Sequence, residues 1–183
     1  FFIFSLLFLS FYGLETEYFN TPIKNKIKQF NQNINLDFKN TRILIDLKKA
    51  EIQVKIQNPI INFDKKKIAL NKLDLNVSIK SVLKRDEFAL QNAEIGLTKV
   101  DVKHLIKFIN QIKAYPFLYI VKEMIDEGKI KGEAVVNFNN KGKVKDDYKI
   151  TGNLINFNAI ILKKIDIDKI EAEFEFTKNN YQV

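Results

Sequence analysis

Side chains able to do chemistry are few in this chain, and their spacing argues against a catalytic centre. His104 is the only histidine among 183 residues. It falls in the first turn of a predicted helix, where a solvated or capping role is the simpler account. Asp166, Asp168, Glu171, Glu173 and Glu175 form an acidic cluster of the type that can hold a hard cation. They alternate with Ile167, Ile170, Ala172, Phe174 and Phe176, however, which is the pattern of a strand with one solvated face. The chain has no cysteine, so thiol catalysis, disulfides and cysteine-bearing zinc sites are excluded together. Its glycines stand singly and form no phosphate-cradling loop. Asn76-Val77-Ser78 matches a glycosylation sequon, but inside a predicted strand it reads as a chance match. The expectation is a non-enzymatic protein with no catalytic residue, no cofactor and no metal.

Charge narrows the partners. A formal net charge of +8 suits either a nucleic acid or an anionic lipid surface. The distribution speaks against nucleic acid, because lysines alternate with Asp, Glu and Asn along predicted strands, as on a solvated face. Arginine, on which base readout leans, occurs only at Arg42 and Arg85. Lys, Asn, Ile and Phe dominate, a bias that an AT-rich genome imposes without selection on function. A membrane is therefore the expected partner.

The elements that would meet a membrane come first. FFIFSLLFLSFYG opens the chain, and residues 1–14 carry no charge. As a helix they reach about 21 Å, short of the roughly 30 Å hydrocarbon core. The start at Phe1 rather than Met implies residues upstream that would complete the span. Ser10-Phe11-Tyr12-Gly13 offers no small-x-small cleavage site, so an uncleaved anchor is expected over a removed signal. Residues 15–32 then form a juxtamembrane segment in which Thr21 caps a helix with Pro22 at its first position. This helix places Ile23, Ile27 and Phe30 on one face, with Lys24 and Lys28 beside it as candidate headgroup contacts. Capping one end of the following sheet is its alternative role.

From residue 33 the apolar period becomes two. Ile34, Leu36 and Phe38 share a face; Ile43, Ile45 and Leu47 follow, then a polar break at Lys48-Lys49, then Ile52, Val54 and Ile56 running into Asn58-Pro59. The change of phase across the break predicts a hairpin or a bulge. Further runs at Leu73, Leu75, Val77 and Ile79, and at 88–97, 130–138, 148–157 and 165–176, predict eight to ten antiparallel strands. One helical insertion, 101–127, interrupts them. Asp101 caps a helix with Val102, Leu105, Ile106, Ile109 and Ile112 on one stripe; Pro116 opens a second with Phe117, Ile120, Val121, Met124 and Ile125, stopped by Gly128.

Two short helices cannot cover the apolar face of so many strands. Either the sheet closes on itself as a sandwich or barrel, or it curls into a trough filled by a ligand. The β domain spans 33–183 and is expected to continue beyond 183.

The order of apolar stub, ETEYFNTPIKNKIKQFN helix, RILIDLKKAEIQVKIQNPII, KLDLNVSIKSVLK and GKIKGEAVVNFNNKGKVKDDYKITGNL resembles the N-terminal part of the AsmA-like proteins of bacterial envelopes. Its most specific pieces are the strand, Asn-Pro and strand passage at 52–61 and the block at 128–153. The resemblance implies a mainly β (α+β) fold, an antiparallel curved sheet forming an open taco-like groove behind a single-pass inner-membrane anchor. It further implies a periplasmic lipid carrier, similar to bridge-like lipid transfer proteins, that moves phospholipid tails towards the outer membrane. Groove-facing candidates are then Ile43, Ile45, Leu47, Ile52, Val54, Ile56, Leu75, Val77, Val136, Phe138, Phe174 and Phe176. The alternative is an envelope assembly or structural factor with a closed β domain, for outer-membrane protein assembly or as a jellyroll component of lipopolysaccharide export.

Overall fold

A computed structural model describes residues 2–63, 65–80, 90–112, 114, 116–139, 145, 147–161, 164–177 and 180–182. Among the described residues the protein is mainly β, with eleven strands, β1 (Leu14–Thr16), β2 (Ile34–Asp37), β3 (Thr41–Asp46), β4 (Glu51–Ile56), β5 (Ile60–Phe63), β6 (Lys66–Ser78), β7 (Leu90–Asp101), β8 (Ile125–Asn137), β9 (Lys149–Ile161), β10 (Ile165–Thr177) and β11 (Asn180–Gln182), hydrogen-bonded in the order β1-β3-β4-β6-β7-β8-β9-β10-β11, with β5 joined to β6 and β2 to β5. The chain divides into two compact units, Phe1–Gly96 with Ala134–Lys149 and Leu97–Glu133 with Ile150–Val183. Strands β7 (Leu90–Asp101) and β8 (Ile125–Asn137) each contribute to both.

The first unit opens with helix α1 (Phe2–Phe11), which lies against β3 (Thr41–Asp46). Ten residues make a helix of about 15 Å, and no helix among the described residues is long and apolar enough to cross a membrane. Gly13, at φ 69°, ends α1 in the left-handed conformation that favours glycine. The chain then forms strand β1 (Leu14–Thr16), paired with β3, so the expected boundary between residues 14 and 15 falls inside a strand. Polar contacts hold it there: the Thr41 hydroxyl donates to the Thr16 carbonyl at 2.8 Å, and Glu15 accepts from Arg42 at 2.8 Å and Gln57 at 2.9 Å.

Helix α2 (Asn20–Phe30) begins earlier than its expected Thr21 cap. The Asn20 amide already donates to the Glu17 carbonyl at 2.9 Å, so the turn is made before Thr21, and Phe19 occupies the cap position without a side-chain bond. Pro22 remains acceptable because amides of the first turn have no intrahelical partner. Strand β2 (Ile34–Asp37) buries Ile34 and Leu36 and exposes Asn35 and Asp37, as its alternation predicts. It pairs with β5 (Ile60–Phe63).

β3 and β4 (Glu51–Ile56) form a hairpin with Asp46 opposite Glu51. The phase change is the hairpin turn itself: Asp46 Oδ1 accepts from the Lys48 and Lys49 amides, and Ala50 takes φ 52°. Leu47 accordingly lies in this turn and is 48 % exposed, outside the strand expected for it. β6 (Lys66–Ser78) serves two partners, pairing with β5 over 66–69 and with β4 over 74–78. Its buried apolar residues shift phase between the two stretches, from Ile68 and Leu70 to Leu73 and Val77. With Ile34, Leu36, Phe38, Val54, Ile56 and Phe63 they form the core of this unit. Phe88 and Arg85 lie outside the described residues.

In the second unit, helix α3 (Val102–Ile112) starts at the expected cap, the His104 amide donating to Asp101 Oδ1 at 2.8 Å. Its i, i+4 pair Val102 and Ile106 is buried with Ile125, while Leu118, Ile130, Leu154 and Phe157 pack against them. The expected role of His104 is solvated or capping; its amide takes the Asp101 cap, but its side chain is buried, and since positions two apart on a helix point to opposite faces it is covered on the side away from Val102 and Ile106. Helix α4 (Pro116–Met124) stops before the expected Gly128. Ile125 begins β8, and Gly128 lies inside that strand, where a Cβ would come within 2.8 Å of the Phe157 ring. The helical insertion is therefore 102–124. β9 (Lys149–Ile161), β10 (Ile165–Thr177) and β11 (Asn180–Gln182) follow.

Candidate functional site

Register decides which apolar side chains share a surface. In the first unit Ile43 stands opposite Val54 and Val54 opposite Leu75, while Ile45 stands opposite Ile52 and Ile52 opposite Val77. Directly paired residues point to the same side, so six of the candidates, with Ile56 two positions beyond Val54, occupy one face. Burial separates them. Val54, Ile56 and Val77 are buried, whereas Ile43, Ile45, Ile52 and Leu75 are half-buried.

The opposite face of the same strands is polar. Asn76 donates to Asn92 at 2.7 Å, and Lys72 Nζ lies 2.6 Å from Glu94. Asp74, between them, is buried, and that burial raises its carboxyl above the ordinary range although Lys55 and Lys72 oppose the shift. Lys24 is taken up locally: its ammonium is 3.6 Å from Asp37 and 5.1 Å from the Phe38 ring centroid, while Lys28 is exposed.

In the second unit the sheet is amphipathic across β8, β9 and β10. Gly132 and Gly152 face each other, since a Cβ on Gly152 would lie 3.0 Å from the Gly132 Cα and 2.7 Å from Cζ of Phe174. Phe174 thus shares their side, and Phe176 stacks on it at 5.1 Å between centroids. Stepping by two from these points gives Ile130 on β8, Ile150 and Leu154 on β9, and Ala172 and Ile170 on β10. Asn156 and Lys169 then take left-handed φ of 47° and 53°. Each marks an extra residue that resets the alternation, and Phe157, Ala159 and Ile167 return to the same side. The Lys169 amide donates to Asn158 Oδ1 at 2.6 Å, tying the two irregularities together. On the other side Asn153 donates to Glu173 at 3.2 Å and Asn158 to Glu127 at 2.8 Å.

This apolar side is only partly covered, most of its residues being half-buried. Of the thirteen residues of β9 only Ala159 is buried, and of the thirteen of β10 only Phe174. Ile150, Leu154, Phe157, Ile167 and Ile170 were not among the expected surface residues. A strict period of two fails at Asn156 and Lys169, and the asparagine before Phe157 was the one available sign of a break. Val136 and Phe138 are half-buried, on and just past the part of β8 that belongs to the first unit. The acidic residues 166, 168, 171 and 173 are exposed, and among the described residues no group of three or more His, Asp or Glu is placed to hold a metal.

Compared with family models, curated proteins and solved structures, the chain matches none.

Proposed function

We propose that this protein is a membrane-attached, non-enzymatic lipid binder that shelters acyl chains on the apolar side of its sheet. In the AsmA-like manner it carries phospholipid tails from the inner membrane across the periplasm towards the outer membrane. The observation that carries the reading is β9: a strand with neighbours on both sides, rich in Ile, Leu and Phe, of which only Ala159 is buried. An interior strand normally hides such a face against other elements of its own chain. Helices α3 and α4 reach only the part around Ile130, Leu154 and Phe157.

The energetics suit a tail as the missing cover. Moving an acyl chain into water costs about 0.8 kcal/mol per CH₂, roughly 13 kcal/mol for sixteen carbons, and a continuous row of Ile, Leu and Phe offsets most of that. The charged residues of the other side keep such a sheet in water. Attachment falls to α1, which leaves Phe4, Leu7, Phe8 and Phe11 exposed, with Tyr12, Leu14 and Tyr18 following.

Two substitutions test the reading. Phe176→Asp places a carboxylate on the half-covered side, where it can stay hydrated; the expected cost is about 1 to 2 kcal/mol, a fall of several degrees in Tm. Val54→Asp buries an unpaired charge in the core, at several kcal/mol. Mass spectrometry of the purified proteins should show phospholipid retained by the native chain and lost severalfold from Phe176→Asp. Unfolding of Phe176→Asp as severe as that of Val54→Asp, with unchanged lipid in the surviving protein, would favour a closed core and the assembly-factor role.

A further inference from the structure

Asp74 is an ionisable group that neither the core nor the apolar side of the sheet employs. It is 6 % exposed on the polar side of β6, a strand flanked by β4 and β7. A carboxylate removed from water needs donors or an opposite charge within reach. Among the described residues it accepts no hydrogen bond and forms no ion pair.

Its neighbours are engaged elsewhere or stand apart. Asn76 donates to Asn92 at 2.7 Å, and Lys72, two positions before Asp74, reaches Glu94 at 2.6 Å. Lys55 stands opposite Asp74 on β4, half-buried, without pairing with it. Lys55, Lys72 and Glu94 are the charged groups that act on Asp74. Burial is the largest influence and raises its carboxyl; the two lysines oppose that and Glu94 adds to it.

The occupant that suits this place is a proton. A metal ion does not suit it, because two ammonium groups act on the same carboxylate and, among the described residues, no group of three or more His, Asp or Glu is placed to hold one. A proton removes the buried charge and the repulsion from Glu94, and it turns the carboxyl into a donor. We infer that Asp74 takes up a proton as the first unit folds, so that the face shared by β4, β6 and β7 is a pH-operated joint, firm with the proton and looser without it. A carboxyl that holds its proton more tightly folded than unfolded contributes stability that is fully present below the unfolded value, about 3.9, and is lost as pH rises through the folded value. Glu15, with its lowered carboxyl, has the opposite sign at lower pH. Falling pH therefore firms β6 before it loosens β1, whether or not the sheet holds a lipid tail.

Asp74→Asn tests the joint, because an amide has the shape of the protonated carboxyl and carries no charge. In urea unfolding of the full chain the variant should show the higher midpoint at pH 7, and the difference should shrink severalfold by pH 4. A lower midpoint for Asp74→Asn at pH 7 would overturn the inference, since the ionised carboxylate would then be a favourable partner of Lys55 and Lys72. A difference that stays constant with pH would overturn it too. Carbon-13 NMR of the native chain with labelled aspartate reads the same group without any variant having to fold. The Asp74 carboxyl should titrate above the ordinary aspartate value, about 3.9, moving down in Glu94→Gln and further up in Lys55→Met. Titration at or below the ordinary value in the native chain would leave no proton to operate the joint and defeat the proposal.

Discussion

At the scale of single residues, the close approach of Gly132 and Gly152 beneath the Phe174 ring is the most sensitive feature of the apolar side. A Cβ at Gly152 would also lie 2.5 Å from the Lys131 carbonyl, so backbone as well as the ring must move. Gly152→Val is expected to cost about 1 to 3 kcal/mol, measured by urea unfolding, whereas a valine at exposed Asn153 should change little. Glu15 supports a second prediction. Its carboxyl is held below the ordinary range by the hydrogen bond from Gln57 first and by Arg42 next. A carboxyl lowered by folding contributes stability that is present above the unfolded value, about 4.3, and is lost as pH falls through the lowered folded value. Acid should therefore loosen β1 from β3, and Glu15→Gln should abolish that acid dependence. Proteolysis between α1 and α2, followed over pH, measures both.

At the scale of elements, local signals placed most strands and misplaced several ends. The hairpin of β3 and β4 follows from apolar residues changing phase across Lys48-Lys49, because only a turn lets Ile45 and Ile52 meet on one face. The α3 start follows from Asp101, whose side chain satisfies an amide that the helix itself cannot. Asp101→Ala is expected to lower stability by about 1 kcal/mol, with Asp101→Asn or Ser restoring most of it in thermal melts. The ends that moved were settled by distant partners. Thr41, Arg42 and Gln57 draw residues 14–16 into a strand, and packing of Ile125 with Val102 and Ile106 starts β8 before Gly128.

At the scale of the molecule, the two units differ in how they are covered. The first buries Ile34, Leu36, Phe38, Val54, Ile56, Phe63, Ile68, Leu70, Leu73 and Val77; β9 and β10 of the second bury only Ala159 and Phe174. Hydrogen exchange should therefore be slowest in β4 and β6 and faster in β9 and β10. Phospholipid or detergent bound to the apolar side should slow β9 and β10 selectively; equal protection with and without lipid would count against the proposed role. The sequence by itself determined the β character, the cap at Asp101 and the polarity of the two sides of the regularly alternating strands β2, β3 and β4, because these depend on neighbours within a few residues. Only the tertiary structure decided that Val54, Ile56 and Val77 are core while Phe176 and Ile150 remain half-open, and that the displaced runs of β9 and β10 return to one side. Cover depends on which strands and helices meet across long stretches of chain, and a period of two is blind both to that and to the extra residue at a left-handed φ.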